Sequence, residues 1–326
     1  MGTFMMLVGL PGSGKSTFAK RLAKEQDAMI LSSDEIREEL FQDMSHQEDN
    51  QLIFETMNER ANSLLADGKK VIYDATNVGR KKRRHLIQYV IKADKKIAYY
   101  VNEHISTTKS RNEERDRKVG EHVIERMYKS LQVPILNEGW HEIRFTEPAF
   151  TSVVASRHSL ENLILGDVDH DTLFLELSQV IPDFKDIYHL PQDSSYHSFS
   201  VSRHTYYVYE RVKEDVKGED LLMMVWAALF HDIGKAFCKS FRNYKGEPTR
   251  YANFIGHEHV SAQLAAYWLF TLRYDEELIR DVVNLVQFHM IPMQASEKKL
   301  NELELLIGTS LFEKLMILHQ ADMQAK

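Results

Sequence analysis

"TFMMLVGLPGSGKSTFAKRLAKEQ", residues 3–26, decides how the first half of this chain is built. A short apolar run ends at Gly9, and Thr17 onward continues as a helix, so the loop between them joins a strand to a helix N-terminus. Gly9-x-x-x-x-Gly14-Lys15-Ser16 is a complete P-loop pattern in the strand-to-helix setting that gives such a pattern its meaning. Gly9, Pro11, Gly12, Ser13 and Gly14 form the loop, whose glycines let backbone N–H groups turn inward as a nest at the positive end of the helix. Lys15 is spaced to reach the outer phosphates of ATP or another nucleoside triphosphate. Ser16, with Thr17 beside it, is spaced to ligate Mg²⁺.

Outward from that loop the pattern repeats. "AMILS" (28–32), "KVIYD" (70–74) and "KIAYYV" (96–101) read as strands, and helices are expected over 50–67 and from about Arg80 to Ala93. Such alternation predicts an α/β unit, a parallel sheet with flanking helices on both faces. From about Thr151 strand-like runs become rare, and amphipathic segments follow at 170–180, 203–216, 219–233, 257–272, 275–289 and 301–321. The expectation is a P-loop domain over 1–147, a linker over 148–160 and an all-α domain over 161–326.

Composition sets the class. With 326 residues, 43% hydrophobic and 27% charged, the chain suits two globular domains, and its net charge of −7 argues against a non-specific nucleic-acid coat. A single cysteine excludes a disulfide framework. The apolar N-terminal run is too short to cross a membrane and has no basic residues before it, and Met6 breaks the myristoylation pattern. A soluble, cytoplasmic protein with no membrane partner is expected.

Further residues narrow the chemistry of the first half. Asp34, in "SSDEIR", falls at the end of the second strand, where it serves either as proton acceptor for a substrate hydroxyl or as helix N-cap. Arg37 lies one turn along, facing an anionic acceptor. "YDATN" sets Asp74 at a strand end, with Thr76 and Asn77 leading into the basic run "GRKKRRH" (79–85), which contains Arg80 and Arg83. In "TKSRNEERDRK" (108–118), Arg111 and Arg115 are four apart, the spacing of one helical face in a lid over ATP.

Residues 4–132 resemble the 5′-hydroxyl polynucleotide kinase module of phage and bacterial nucleic-acid repair enzymes, through "GLPGSGKST", "SSDEIR", "YDATN", "SRNEER" and "ERMYKSLQVP" in that order. The resemblance implies that Lys15 and Ser16 handle ATP and Mg²⁺ and that Asp34 is the general base. It also implies that Arg37 meets the acceptor phosphate, Asp74 orients the acceptor, and Arg115, with Arg111, clamps the donor. Phosphoryl transfer of this kind is mostly positioning and charge neutralisation. "LILGDVDHDT" (163–172) superficially matches an aspartate-nucleophile phosphatase motif, but Asp171 stands where Thr belongs and no α/β pattern follows.

The second half offers imidazoles and carboxylates without thiolates. His204, the pair His231–Asp232 in "ALFHDIGK", His257 in "FIGHEHVSA", His289 and Asp322 fall on or at the ends of different expected helices, a donor set for Mn, Fe, Co, Ni, Zn or Mg. His259 competes with His257 for one position. Residues 182–322 resemble the HD superfamily of metal-dependent phosphohydrolases, in particular the HD domain of some tRNA nucleotidyltransferases. That resemblance implies a first metal on His204, His231, Asp232 and Asp322, and a second on His257 and His289 sharing Asp232. Lys235 would touch substrate phosphate, and the paired metals would activate a water. Together the halves resemble fused end-healing enzymes, which implies RNA or DNA ends as substrates and a separate ligase as partner.

Overall fold

β1 (Thr3–Val8) is buried from Phe4 onward, as a strand with parallel neighbours on both sides must be. The computed structural model describes residues 2–43, 48–115, 117–149, 157–194 and 198–325. In chain order the first unit, Met1–Pro148, runs β1, α1 (Lys15–Gln26), β2 (Ala28–Ser32), α2 (Ser33–Phe41), α3 (Asn50–Ala66), β3 (Lys70–Asp74) and α4 (Arg80–His85). It continues with β4 (Lys95–Tyr100), α5 (Ile105–Glu113), α6 (Glu121–Ser130) and β5 (Glu142–Phe145). All five strands pair in parallel, in the order β2-β3-β1-β4-β5. One face of the sheet packs Met5, Leu7, Ile72, Ile97 and Tyr99 on Ala19 and Leu22 of α1. The topology turns at β1, and the crevice beyond the strand ends at such a turn is where open parallel sheets bind ligands.

Two local expectations need correction here. The helix expected to reach Ala93 leaves the α form after His85, and a π-helical turn, Leu86–Val90, closes with Ile91 N donating to the Leu86 carbonyl at 2.8 Å. β5 was not expected from the pattern, because it is a four-residue edge strand whose Glu142 and Arg144 alternate with buried Ile143 and Phe145.

The second unit, Ala149–Lys326, is mostly helical. It comprises α7 (Arg157–Leu165), α8 (His170–Val180), α9 (Asp183–Ile187), α10 (Val201–Asp215), α11 (Leu221–Phe230) and α12 (Lys235–Cys238). The antiparallel pair β6 (Ser240–Arg242) and β7 (Pro248–Asn253) follows, then α13 (His257–Thr271), α14 (Glu276–Phe288), α15 (Glu297–Ile307) and α16 (Thr309–Gln324). The stretch Gly218–Cys238 is apolar and long enough to cross a bilayer by composition, but 78% of its apolar window is buried inside the unit. α11, "LLMMVWAALF", is apolar all round because α10, α13, α14 and α16 surround it.

The helix expected over 301–321 is two helices, since Gly308, at φ +86° and ψ 151°, breaks it. The linker expected over 148–160 falls largely on 150–156, outside the described residues, and α7 already begins at Arg157. The acidic stretch 163–172 is a helix junction: Asp169 caps α8 by accepting from the Asp171 and Thr172 backbone N–H groups.

Candidate active sites

In the first unit, the P-loop glycines answer to space and to backbone angle. Gly12 (φ +87°) and Gly14 (φ +94°) are left-handed, and a Cβ on Gly12 would stand 2.5 Å from the Thr108 carbonyl oxygen. Lys15 opens α1 and its ammonium donates to the Leu10 carbonyl at 2.6 Å. Burial is the main reason its pKa falls to about 8; Asp74 opposes that shift and Arg115 adds to it. Ser16 and Thr17 are exposed in the same first turn, and Ser13 is buried. Asp74 ends β3 opposite Ser32 and accepts from the Ser16 hydroxyl. Burial raises its pKa against the pull of Lys15. The Ser16 hydroxyl and Asp74 carboxyl are hard oxygen donors of the kind Mg²⁺ takes.

Asp34 is not the helix cap. Ser32 caps α2, accepting from Glu35 N, and Asp34 sits in the first turn with a half-exposed side chain. Two guanidinium groups meet its carboxylate: Arg37 at 2.9 Å and Arg117 at 3.2 Å. Arg37 is 5% exposed and also donates to Asn50 Oδ1 at 2.9 Å, so it braces Asp34 from below. Arg117 was missed in the sequence. Its only signal there was membership of the mixed run 108–118, where solvated charges are the ordinary reading.

Other assignments in this half change. Arg83 is 1% exposed, with Nε and Nη2 on the fully buried Glu138 at 2.9 and 2.7 Å and Nη1 on the Asn77 and Val78 carbonyls. It is enclosed, so it cannot face an entering strand; Arg80 is half-buried at the head of α4, while Lys81, Lys82 and Arg84 are exposed. Asn77, at φ +50°, spends its amide on the Leu7 and Ala75 carbonyls, and the Thr76 carbonyl accepts from Gly9 N. These two residues brace the P-loop strand. Arg111 and Arg115 do not share a helical face, because α5 ends at Glu113. Arg111 is held by Glu103 at 3.0 Å, and Arg115 lies exposed beyond the helix end.

The second unit gathers its donors tightly. His204 comes from α10, His231 and Asp232 from the turn after α11, His257 from the start of α13, His289 from the end of α14 and Asp322 from α16. The helix expected to run to 233 stops at Phe230, and this lets His231 and its neighbour Asp232 point into the same space. His204, His231 and Asp322 bring ligand atoms within 4.8 Å of one another, and so do Asp232, His257 and His289. All six are at least nine-tenths buried. Gly234 permits the arrangement, since a Cβ there would stand 2.5 Å from the His257 carbonyl oxygen, and its N–H donates to Ser261 Oγ at 2.9 Å.

The imidazoles are oriented by backbone. His204, His231, His257 and His289 each place Nδ1 on a carbonyl, of Ala325, Ala228, Phe254 and Val286, at 2.8, 2.6, 2.9 and 2.7 Å. With Nδ1 donating to these carbonyls, each ring turns its Nε2 inward. Two pairs of these nitrogens face each other, His204 and His231 at 3.4 Å and His257 and His289 at 3.2 Å. Opposed ring nitrogens at that distance suit a shared cation, so the donor set fits a divalent metal. Burial chiefly, with His257 and His231 beside it, pushes His289 down to about 3 and keeps it neutral. Burial works against the Asp232 charge, yet Lys235, 2.7 Å away, and His231 hold it well below the usual carboxylate range. His259 lies outside the cluster on Glu258 at 3.8 Å, which leaves His257 as the inward histidine. Gln192, also missed in the sequence, is 2% exposed and accepts from Lys235 Nζ at 2.9 Å.

Residues 4–134 match the AAA domain family, and residues 195–322 match the HD domain family. The L-seryl-tRNA(Sec) kinase of Methanococcus maripaludis is 30% identical over 148 residues, 42% of this chain and 55% of that protein. The CC-adding tRNA nucleotidyltransferase of Thermus thermophilus is 38% identical over 74 residues, 23% of this chain and 16% of that protein. The chain thus spans about half the length of the first relative and a small part of the second. A sugar kinase from a Janibacter species aligns with a TM-score of 0.36 and 13% identity over 44% of this chain and 86% of that one. The chain carries a kinase-like P-loop domain followed by an HD domain.

Proposed function

We propose that this protein heals nucleic-acid ends, RNA ends foremost. The first unit phosphorylates a 5′-hydroxyl from ATP, and the second hydrolyses a 2′,3′-cyclic phosphate or a 2′- or 3′-phosphomonoester. The observation that carries the reading is the pairing in one chain of a half-exposed carboxylate, Asp34, in the setting of a P-loop lysine, with a buried centre of four imidazoles and two carboxylates. The names of the two relatives, a tRNA kinase and a tRNA nucleotidyltransferase, support an RNA substrate for each half.

In the kinase step Asp34 takes the proton of the acceptor hydroxyl as its oxygen bonds to the γ-phosphorus and the bond to ADP breaks. Arg37 keeps Asp34 in place, Arg117 offers the acceptor a cation on the open side, and Lys15 and Arg115 offset charge on the phosphates. Mg²⁺ would be held by Ser16 and Asp74. In the HD unit, His204, His231, Asp232 and Asp322 would hold one divalent metal and Asp232, His257 and His289 a second, drawn from Mn, Fe, Ni, Co or Zn. Such metals supply charge neutralisation and an activated water. Lys235, steadied by Gln192 and Asp232, adds a fixed cation for the substrate phosphate. A separate ligase would join the healed ends.

The enclosure of Arg83 favours a second reading, a nucleoside or small-molecule kinase joined to an HD nucleotidase, because it removes one cation from the expected strand entry. One substrate separates the readings: an RNA oligonucleotide with a 5′-hydroxyl and a 2′,3′-cyclic phosphate. Wild type is expected to convert both ends, Lys15→Ala only the 3′ end, and His231→Ala/Asp232→Ala only the 5′ end. Conversion of mononucleotides alone would overturn end healing.

A further inference from the structure

The β6–β7 ribbon projects from the residues that hold the HD centre, and the mechanism above gives it no task. Its sequence, "KSFRNYKGEPTRYANFI" (239–255), interleaves aromatic and basic residues. Lys239, Arg242, Lys245 and Arg250 against Glu247 alone make it net positive in a chain whose net charge is −7. Phe241, Tyr244, Tyr251 and Ile255 are 48%, 81%, 43% and 53% exposed, which a soluble fold does not require of four apolar or aromatic side chains so close together. Lys245 lies over the Tyr244 ring at 5.7 Å and Arg250 over the Tyr251 ring at 5.3 Å, so both exposed tyrosine rings carry a cation beside them.

The base of the ribbon is tied to the centre on both sides. Ala252 N donates to the Asp193 carbonyl at 3.1 Å, and Lys239 pairs with the Asp193 carboxylate at 2.5 Å, one residue from Gln192. At the exit of β7, the Phe254 carbonyl accepts from His257 Nδ1 and its ring lies 5.3 Å from Lys235 Nζ. The six residues of β7 extend about 20 Å at roughly 3.3 Å per residue, the scale of a few nucleotides.

We infer that this ribbon is a nucleic-acid-binding arm that holds the last nucleotides of a single-stranded 3′ end as its terminal phosphate enters the HD centre. Exposed rings that stack on bases of any identity, with cations set beside them for the backbone, are the elements of sequence-tolerant single-strand binding. The positive ribbon is complementary to a polyanion, whereas a neutral or basic protein surface would gain nothing from Lys245 and Arg250. The inference rests on the HD unit acting on polynucleotide ends, and it sets substrate class: an oligonucleotide is preferred to a mononucleotide with the same terminal phosphate.

The test uses the full chain and a single-stranded RNA carrying a 3′-phosphate, with 4-thiouridine in one of its last positions. Crosslinking should fall within residues 239–255. Tyr244→Ala/Tyr251→Ala should abolish that crosslink and weaken oligonucleotide binding about 5- to 160-fold per lost stack. Lys245→Glu/Arg250→Glu, both at exposed positions, should flatten the salt dependence by about 0.7 in slope per lost phosphate contact. Bound metal and turnover of a mononucleotide 2′,3′-cyclic phosphate should stay at wild-type levels in both variants. Crosslinks that map elsewhere, or variants that bind oligonucleotide as wild type does, would overturn the arm. So would a changed oligomeric state with unchanged RNA binding, which would mark the ribbon as a protein interface. If the crosslink maps to the ribbon but no terminal phosphate is released, the arm stands and the end-healing reading fails.

Discussion

Arg83→Met separates a structural cation from a substrate-binding one. The Glu138 carboxylate is fully buried and accepts from Arg83 Nε and Nη2, from Trp140 Nε1 at 3.1 Å and from Ile135 N at 3.3 Å. Replacing Arg83 by Met removes its only cationic partner among these and strands a carboxylate away from water. Breaking a buried pair in this way costs about 3–5 kcal/mol. At roughly 3 °C per kcal/mol for a unit of this size, the first unit should melt about 10–15 °C lower by calorimetry. Arg83→Met/Glu138→Met removes both charges and should recover part of that loss, but not all. The Asn77 carbonyl and the Trp140 and Ile135 N–H groups would lose the partners described above, at about 1–3 kcal/mol for each that stays dry, whereas the Val78 carbonyl keeps the Gln132 backbone N–H at 3.0 Å. Well below the melting range, the single variant should keep a wild-type KM for oligonucleotide. A variant that melts within about 2 °C of wild type and binds oligonucleotide poorly would refute the argument and return Arg83 to the nucleic-acid surface.

Because the Lys15 ammonium has a pKa of about 8 in the folded protein, its charge is lost as pH rises through that value, and ATP affinity should fall about tenfold from pH 7 to pH 9 by titration calorimetry. Lys15→Arg, charged throughout, should show no such step. Gly234→Ala drives a methyl group into the His257 carbonyl, so bound transition metal should be lost and the HD unit should melt several °C lower; full metal occupancy would contradict the close approach. His257→Ala should lose metal by elemental analysis while His259→Ala retains it, and the reverse result would exchange the two. Arg117→Ala should raise the KM for the kinase acceptor several-fold with little change in the KM for ATP, and equal changes in both would place Arg117 on the donor side.

Much of this protein is legible in one dimension. The P-loop, with its strand before and helix after, is a local device whose spacing is set by backbone geometry, so Gly9 to Thr17 can be read without knowing what packs around them. The central strands announce themselves as unbroken apolar runs because both their faces are covered, and α11 does so as an apolar helix for the same reason. The six donors of the HD centre could be gathered from the sequence because each is a chemically unusual residue at the end or on the face of a periodic helix. Their distances and the carbonyl that turns each ring could not, since these depend on how five separate helices meet.

Charge was the least legible property. Arg83 and Arg84 are neighbours in a run of five basic residues, yet one is sealed on Glu138, fifty-five positions away, and the other is exposed. Arg37 and Arg117 stand eighty residues apart in sequence, and both meet Asp34. Sequence determines that a cation is present; only the tertiary structure decides whether it faces water, a carboxylate or a substrate, because that depends on partners brought from distant parts of the chain.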